Sequence, residues 1–261
     1  MDELTEPDSA AAALTKWEKL QGRLARVFRD AIFPTECQIC GCFDGPFCPD
    51  CREELLDQGL TCCPRCASSL GPFENLKDGC SACRGRRLGF DGATALGPYQ
   101  GPIRRLCLML KKERNAWLAR RLADLLIDAR GLVLRAQGAD YVVAVPLHWR
   151  RRWSRGFDQA TELGKAVAQR LGLSFAKPLS RVEDTAPLAG VGREERFRRL
   201  RSAFRIRRGI ELRGKTVLLV DDILTTGATC GAAARELKRA GARRVFVAVV
   251  GRADRTRRAG S

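Results

Sequence analysis

Residues 217–229 read Val217-Leu-Leu-Val-Asp221-Asp222-Ile-Leu-Thr225-Thr226-Gly227-Ala228-Thr229. The aliphatic run predicts a buried strand over 215–220, and the helical spacing that follows predicts a helix over 228–240. A hydroxyl-rich glycine turn between them aims backbone N–H groups and side-chain hydroxyls at a helix N-terminus, where hydrogen bonding and the helix dipole both favour a phosphate. Two adjacent carboxylates beside an anion site would repel the anion unless they accept hydrogen bonds from sugar hydroxyls or act through Mg²⁺. A phosphorylated ribose meets both conditions. An ordinary strand–turn–helix gives the acid pair no packing reason.

Working outward, the chain is regular from Phe90 onward. Strands are predicted over 93–99, 140–145 and 244–250, the second of them ended by Pro146. Ile103, Leu106, Cys107 and Leu110 repeat at helical spacing; so do Leu118, Leu122, Leu125 and Leu126, and then Ala160, Leu163, Val167 and Leu171. Strands alternating with helices predict an α/β fold with a doubly wound, mainly parallel sheet. Residues 185–192 read as loop.

Upstream the composition changes. All of the twelve cysteines except Cys107 and Cys230 lie between Cys37 and Cys83, many as Cys-x-x-Cys, among Gly and Pro and few long aliphatics. Cys37, Cys40, Cys48 and Cys51 make one set of four knuckle thiols; Cys63, Cys66, Cys80 and Cys83 make another. Such pairs suit tetrahedral Zn²⁺, and a Cys₄ site with no open position is structural. Metal binding then supplies folding free energy that this stretch cannot draw from apolar burial. Disulfides and iron–sulfur ligation are the weaker alternatives. Consecutive sites are favoured by sequence order, although a cross-braced pairing uses the same ligands. Cys42 and Cys62 are left over as stand-ins, and Cys107 and Cys230 fit as small core residues.

The expected organisation is an amphipathic helix over 1–33 (Trp17, Leu20, Leu24, Val27, Phe28 and Ile32), a double zinc-ribbon module over 34–87, an α/β domain over 88–252 and a basic tail over 253–261. Acidic Asp2, Glu3, Glu6 and Asp8, with no apolar run long enough to span a bilayer, predict a soluble, cytosolic protein. A formal net charge of +17 over 261 residues points to a polyanionic partner. Much of it falls in an Arg-rich stretch with interleaved aromatics, in which Arg150, Arg152, Trp153, Arg196, Arg198 and Arg199 are candidate contacts to single-stranded DNA. A solvated arginine surface is the plainer alternative.

Val220 to Thr229 resembles the ribose-diphosphate signature of type I phosphoribosyltransferases. That resemblance implies that Asp221 and Asp222 hold the ribose hydroxyls and that Thr225, Thr226, Gly227, Ala228 and Thr229 hold the 5′-phosphate of 5-phosphoribosyl 1-pyrophosphate. It also implies a pyrophosphate loop at Pro146 and Leu147, with Lys111, Arg151 and Arg155 as basic candidates and Mg²⁺ as a companion ion. Val145-Pro-Leu-His148, Arg155-Gly-Phe-Asp-Gln159, Glu195-Arg196 and Ala203-Phe204, together with the cysteine knuckles, resemble the ComF family of competence-associated proteins over nearly all of 34–252. Departures from its pattern are Lys112, Asp158, Leu188 and Arg199.

Two readings follow. The ComF resemblance implies an accessory factor in DNA uptake and natural transformation, which binds the pyrophosphate sugar and single-stranded DNA and has a helicase-like competence protein as a partner. The alternative is a working phosphoribosyltransferase of nucleotide metabolism, displacing pyrophosphate at the anomeric carbon. The sequence names no catalytic base for it, since the sole histidine, His148, sits among Arg and Trp.

Overall fold

The computed structural model describes residues 36–57, 61–112, 116–147, 158–182, 203–207 and 209–254. The helix expected over 1–33, His148, Trp153 and the basic residues Arg150, Arg151, Arg152, Arg155, Arg196, Arg198 and Arg199 lie outside the described residues, as does the tail from 255. Two units are distinguished, Met1–Cys51 and Arg52–Ser261.

In the first unit Cys37, Cys48 and Cys51 form a small buried cluster with Ile39 packed on it. No other aliphatic or aromatic residue joins it among the described residues.

In the second unit five parallel strands form one sheet in the order β1-β7-β6-β2-β3, with β1 Gly92–Pro98, β2 Tyr141–Ala144, β3 Ser174–Ala176, β6 Thr216–Leu224 and β7 Arg244–Arg252. Strands β4 (Leu179–Arg181) and β5 (Phe204–Ile206) form a separate antiparallel pair. Both faces of the sheet are covered, as the near-continuous aliphatic character of β6 and β7 requires. The doubly wound α/β architecture expected from the alternating pattern is therefore the one observed.

The helices of this unit, after α1 (Pro49–Asp57), are α2 (Gly101–Lys112), α3 (Ala116–Ala136), α4 (Gln159–Leu171) and α5 (Ala228–Arg239). Helix α3 buries Leu118, Leu122, Leu125 and Leu126 along one stripe and packs on α4 and β1. Each such leucine contributes about 1.5–3 kcal/mol by leaving water. Asp158 caps α4 by accepting a hydrogen bond from the Thr161 N–H at 3.2 Å. Asp and Asn are about equally good in this capping role.

The ladder runs beyond the expected strand ends. Strand β6 continues through both acids to Leu224, because Asp221, Ile223 and Leu224 pair with Val249, Gly251 and Arg252 of β7. Strand–strand hydrogen bonds are indifferent to side-chain polarity, so an acidic pair can sit inside a strand that its sequence seems to end.

Candidate functional site

Strand β2 is followed in the chain by β3 on one side of it, while β6, its neighbour on the other side, is followed by β7 farther out. The winding direction therefore reverses between β2 and β6. In open α/β sheets ligands bind outside the carboxyl ends of the strands at such a reversal. Pro146 and Leu147 follow the end of β2 there, Asp221 and Asp222 lie in the last four residues of β6, and the 225–229 turn follows it. The sequence-predicted ribose-phosphate residues and the first two pyrophosphate-loop residues thus stand at adjacent strand ends.

The turn itself is shaped by Gly227, whose φ of 79° lies in the left-handed region. It is the N-cap of α5 and makes no side-chain capping bond; Thr226 Oγ1 accepts from the Ala228 N–H at 3.3 Å. The positive end of α5 therefore stands at the carboxyl end of β6.

Successive strand residues point to opposite faces, and the two acids obey this. Asp221 leans toward α5: its Oδ1 accepts the Asp222 N–H at 2.9 Å and its Oδ2 lies 3.8 Å from Cys230 Sγ. Asp222 leans toward α2, where Lys111 Nζ stands 3.0 Å from its Oδ2 and Cys107 Sγ lies 3.9 Å from its carbonyl. Burial, reinforced by the neighbouring Asp222 charge, raises the Asp221 pKa well above the usual carboxylate range. Burial opposes the Lys111 ammonium, but the charge of Asp222 and its hydrogen bond, together with the charges of Asp221 and Tyr99, outweigh it and the net shift is upward. Burial also pushes the Cys107 and Cys230 thiols up, so both remain neutral packing groups. Of the basic candidates, Lys111 is the one that the described residues bring to the acid pair.

The cysteines form two quartets by consecutive pairing, Cys37/Cys40/Cys48/Cys51 and Cys63/Cys66/Cys80/Cys83, and within each quartet the sulfurs lie within 4.8 Å of one another. Thiolates around a tetrahedral zinc with Zn–S of about 2.3 Å stand about 3.8 Å apart. The Cys40–Cys48, Cys63–Cys83, Cys66–Cys80 and Cys80–Cys83 sulfur separations are 3.7, 3.8, 3.5 and 3.8 Å. Both quartets can therefore hold a zinc ion. Burial opposes ionisation of Cys37, yet N–H groups of Cys40, Cys48 and Ile39 bring it down to about 6; those of Cys80, Arg65 and Cys66 bring Cys63 to about 7 against the same opposition. Burial and the Cys66 charge push Cys83 up to about 11. Without a cation, then, the sulfurs do not ionise together, and a divalent metal would supply the missing positive charge.

A feature that the sequence reading passed over is Arg252, the last residue of β7 and 8% exposed. Its Nε donates to the Cys66 carbonyl at 2.8 Å, and its Nη1 donates to the carbonyls of Leu224, Thr225 and Ala253 at 2.9, 2.5 and 2.7 Å. A lone arginine two residues past the strand predicted over 244–250 carries no signal in the sequence, where arginine is ordinarily an exposed residue.

The family model for the phosphoribosyl transferase domain matches residues 160–259. The DNA utilization protein YhgH of Salmonella typhi is 31% identical over 204 residues, which are 77% of this chain and 87% of that protein. Its namesake in Escherichia coli K12 is 30% identical over 218 residues, 81% of this chain and 87% of that protein. Competence protein F of Haemophilus influenzae is 26% identical over 205 residues, 77% and 87% of the two chains. With its two metal-ready cysteine quartets, its signature turn at the reversal point of a parallel sheet and relatives that match it over most of its length, the chain belongs to the ComF family of competence and DNA-utilization proteins.

Proposed function

We propose that this chain binds 5-phosphoribosyl 1-pyrophosphate at the β2–β6 crevice and single-stranded DNA through its arginine-rich stretch, acting in DNA uptake and utilization. The observation that carries the first half is the acid pair in the last residues of β6 and the Gly227 turn that opens α5, on the strand next to β2, which leads into Pro146 and Leu147. The 5′-phosphate takes the Thr225–Thr229 N–H groups and hydroxyls, and the ribose hydroxyls take the carboxylates of Asp221 and Asp222. Lys111 already neutralises Asp222. On binding it exchanges that carboxylate, wholly or in part, for the pyrophosphate, whose greater charge attracts the ammonium more strongly.

Mg²⁺ would be held by the carboxylates together with the ligand's own phosphates, and would supply charge neutralisation of the pyrophosphate. The donor set suits it, because hard oxygen ligands are what the acid pair offers. A soluble cytoplasmic setting fits this ligand, and no helix among the described residues is long and apolar enough to cross a membrane. The names of the relatives, DNA utilization protein and competence protein, support the second half. So does the net charge of +17.

Calorimetric titration with the Mg²⁺ form of the sugar tests the reading. Asp221→Ala combined with Asp222→Ala should abolish the heat of binding while zinc content and circular dichroism stay unchanged. Undiminished affinity in that variant refutes the assignment. In the same preparation, a fluorescent single strand should bind with an affinity that falls steeply as salt rises; a salt-independent signal removes the DNA half.

A further inference from the structure

The second cysteine quartet is part of the wall that holds the phosphate turn, and Arg252 is the link between them. The guanidinium lies between the Cys66 carbonyl, on a metal knuckle, and the Leu224 and Thr225 carbonyls, which open the turn. A buried cation with its donors engaged on both sides holds those two backbones at a fixed separation, because releasing either side leaves a buried charge unsatisfied. Asp254 lies 3.9 Å from the same guanidinium, and its other oxygen accepts the Ser69 N–H at 3.2 Å.

A second contact path reaches the turn from its other side. Leu88 and Phe90, a few residues past Cys83, are buried in one cluster with Cys63, Cys66, Cys80 and Cys83. A Cβ on Gly231, in the first turn of α5, would stand 2.2 Å from the Leu88 carbonyl oxygen, and one on Gly227 would stand 3.4 Å from the Phe90 ring. Arg65, between two ligand cysteines, is tied to the Asp78 and Arg86 carbonyls at 2.8 and 2.5 Å and so fixes the path that leads into Leu88.

We infer that metal at Cys63, Cys66, Cys80 and Cys83 and ligand at the 225–229 turn are energetically linked, with Arg252 as the positioning residue. Occupancy of the quartet fixes the Cys66 carbonyl; Arg252 transmits that position to the Thr225 carbonyl; the turn N–H groups are then aimed for a phosphate. Linkage is reciprocal, so phosphate binding is felt at the metal. The inference rests on reading 225–229 as the phosphate turn, and it adds a device that this reading does not require.

The test uses the full chain with ¹¹³Cd²⁺ in place of zinc, probed by ribose 5-phosphate, which offers the phosphate and the sugar hydroxyls alone. Two cadmium resonances are expected, assigned by loss of one in Cys37→Ser. Ribose 5-phosphate should shift the second-quartet resonance with the midpoint found by calorimetry and leave the first-quartet resonance in place. Arg252→Met should keep both resonances, lose the ligand-induced shift and weaken ribose 5-phosphate about tenfold, within the usual range of coupling between sites; Arg252→Lys should recover part of each. Heat of binding with no cadmium shift in the unaltered chain overturns the linkage and leaves the ligand assignment standing, and so does unchanged affinity in a folded Arg252→Met. No heat at all strikes the ligand reading itself.

Discussion

The two cysteine quartets share a spacing motif but not a setting. The first packs only Ile39 against its sulfurs among the described residues, and it belongs to the small unit that ends at Cys51. The second lies in the same cluster as Val217, Leu219, Val245, Val247 and the buried face of α5, in the large unit. A metal knuckle can thus staple a stretch that has no apolar core of its own, or serve as one wall of a core that belongs to something larger. In the first case a bound metal would stabilise its own loop, and in the second everything that packs on that wall.

Ligand substitution should break this comparison most forcefully if it is wrong. Structural zinc provides about 10–16 kcal/mol in small metal domains, as much as a whole domain's usual margin of about 5–15 kcal/mol. Cys66→Ser is therefore expected to unfold the large unit at room temperature, whereas Cys37→Ser should leave its melting transition unchanged. Thermal melts followed by circular dichroism, with zinc counted in each variant, decide it; equal damage from both substitutions would erase the distinction.

A smaller effect sharpens it. Gly231→Ala places a methyl fixed to the α5 backbone against the Leu88 main-chain carbonyl, where no flexible side chain can swing away. Overpacking of this kind costs about 1–3 kcal/mol. A lowered urea midpoint, with the first quartet's metal affinity unaltered, is the expected result; a neutral outcome would mean that the wall is looser than its distances indicate.

The mildest test concerns the ligand side of the wall. Asp221 has a folded-state pKa raised by burial and by Asp222, so the ligand-free protein holds a proton there more tightly than the unfolded chain does. Its contribution is complete below the ordinary value of 3.8 and is lost as pH rises through the higher folded value. Asp221→Asn should therefore be the more stable protein at neutral pH, by a margin that grows upward from about pH 4. Urea midpoints across that range would show the opposite slope if the carboxylate were instead stabilised as an anion.

Much of this was legible in the sequence because it rests on local rules. Leu118, Leu122, Leu125 and Leu126 reveal their helix by spacing, and Val217 to Val220 reveal a buried strand by composition. Cysteine pairs announce their quartets because metal geometry fixes short spacings. What stayed hidden is non-local. Strands β3, β4 and β5 have only three residues each, too few for alternation to register. The extension of β6 through Asp221 to Leu224 depends on a partner about thirty residues away. Arg252 looks like any surface arginine until the Cys66 and Thr225 carbonyls are brought to it from opposite ends of the chain. The lean of Asp221 and Asp222 toward different helices follows from strand alternation once the strand is known to include them.

Strand β1 pairs along its length with β7, the last strand of the sheet. On the ribosome, the strand that begins at Gly92 must therefore wait for Arg244–Arg252 to be synthesised before its ladder to β7 can form, a slow, distant closure of the kind that delays folding. Until Arg244–Arg252 emerges, the edge of β1 and the cysteines before it are open to wrong partners, and early metal loading of those thiols would shield them.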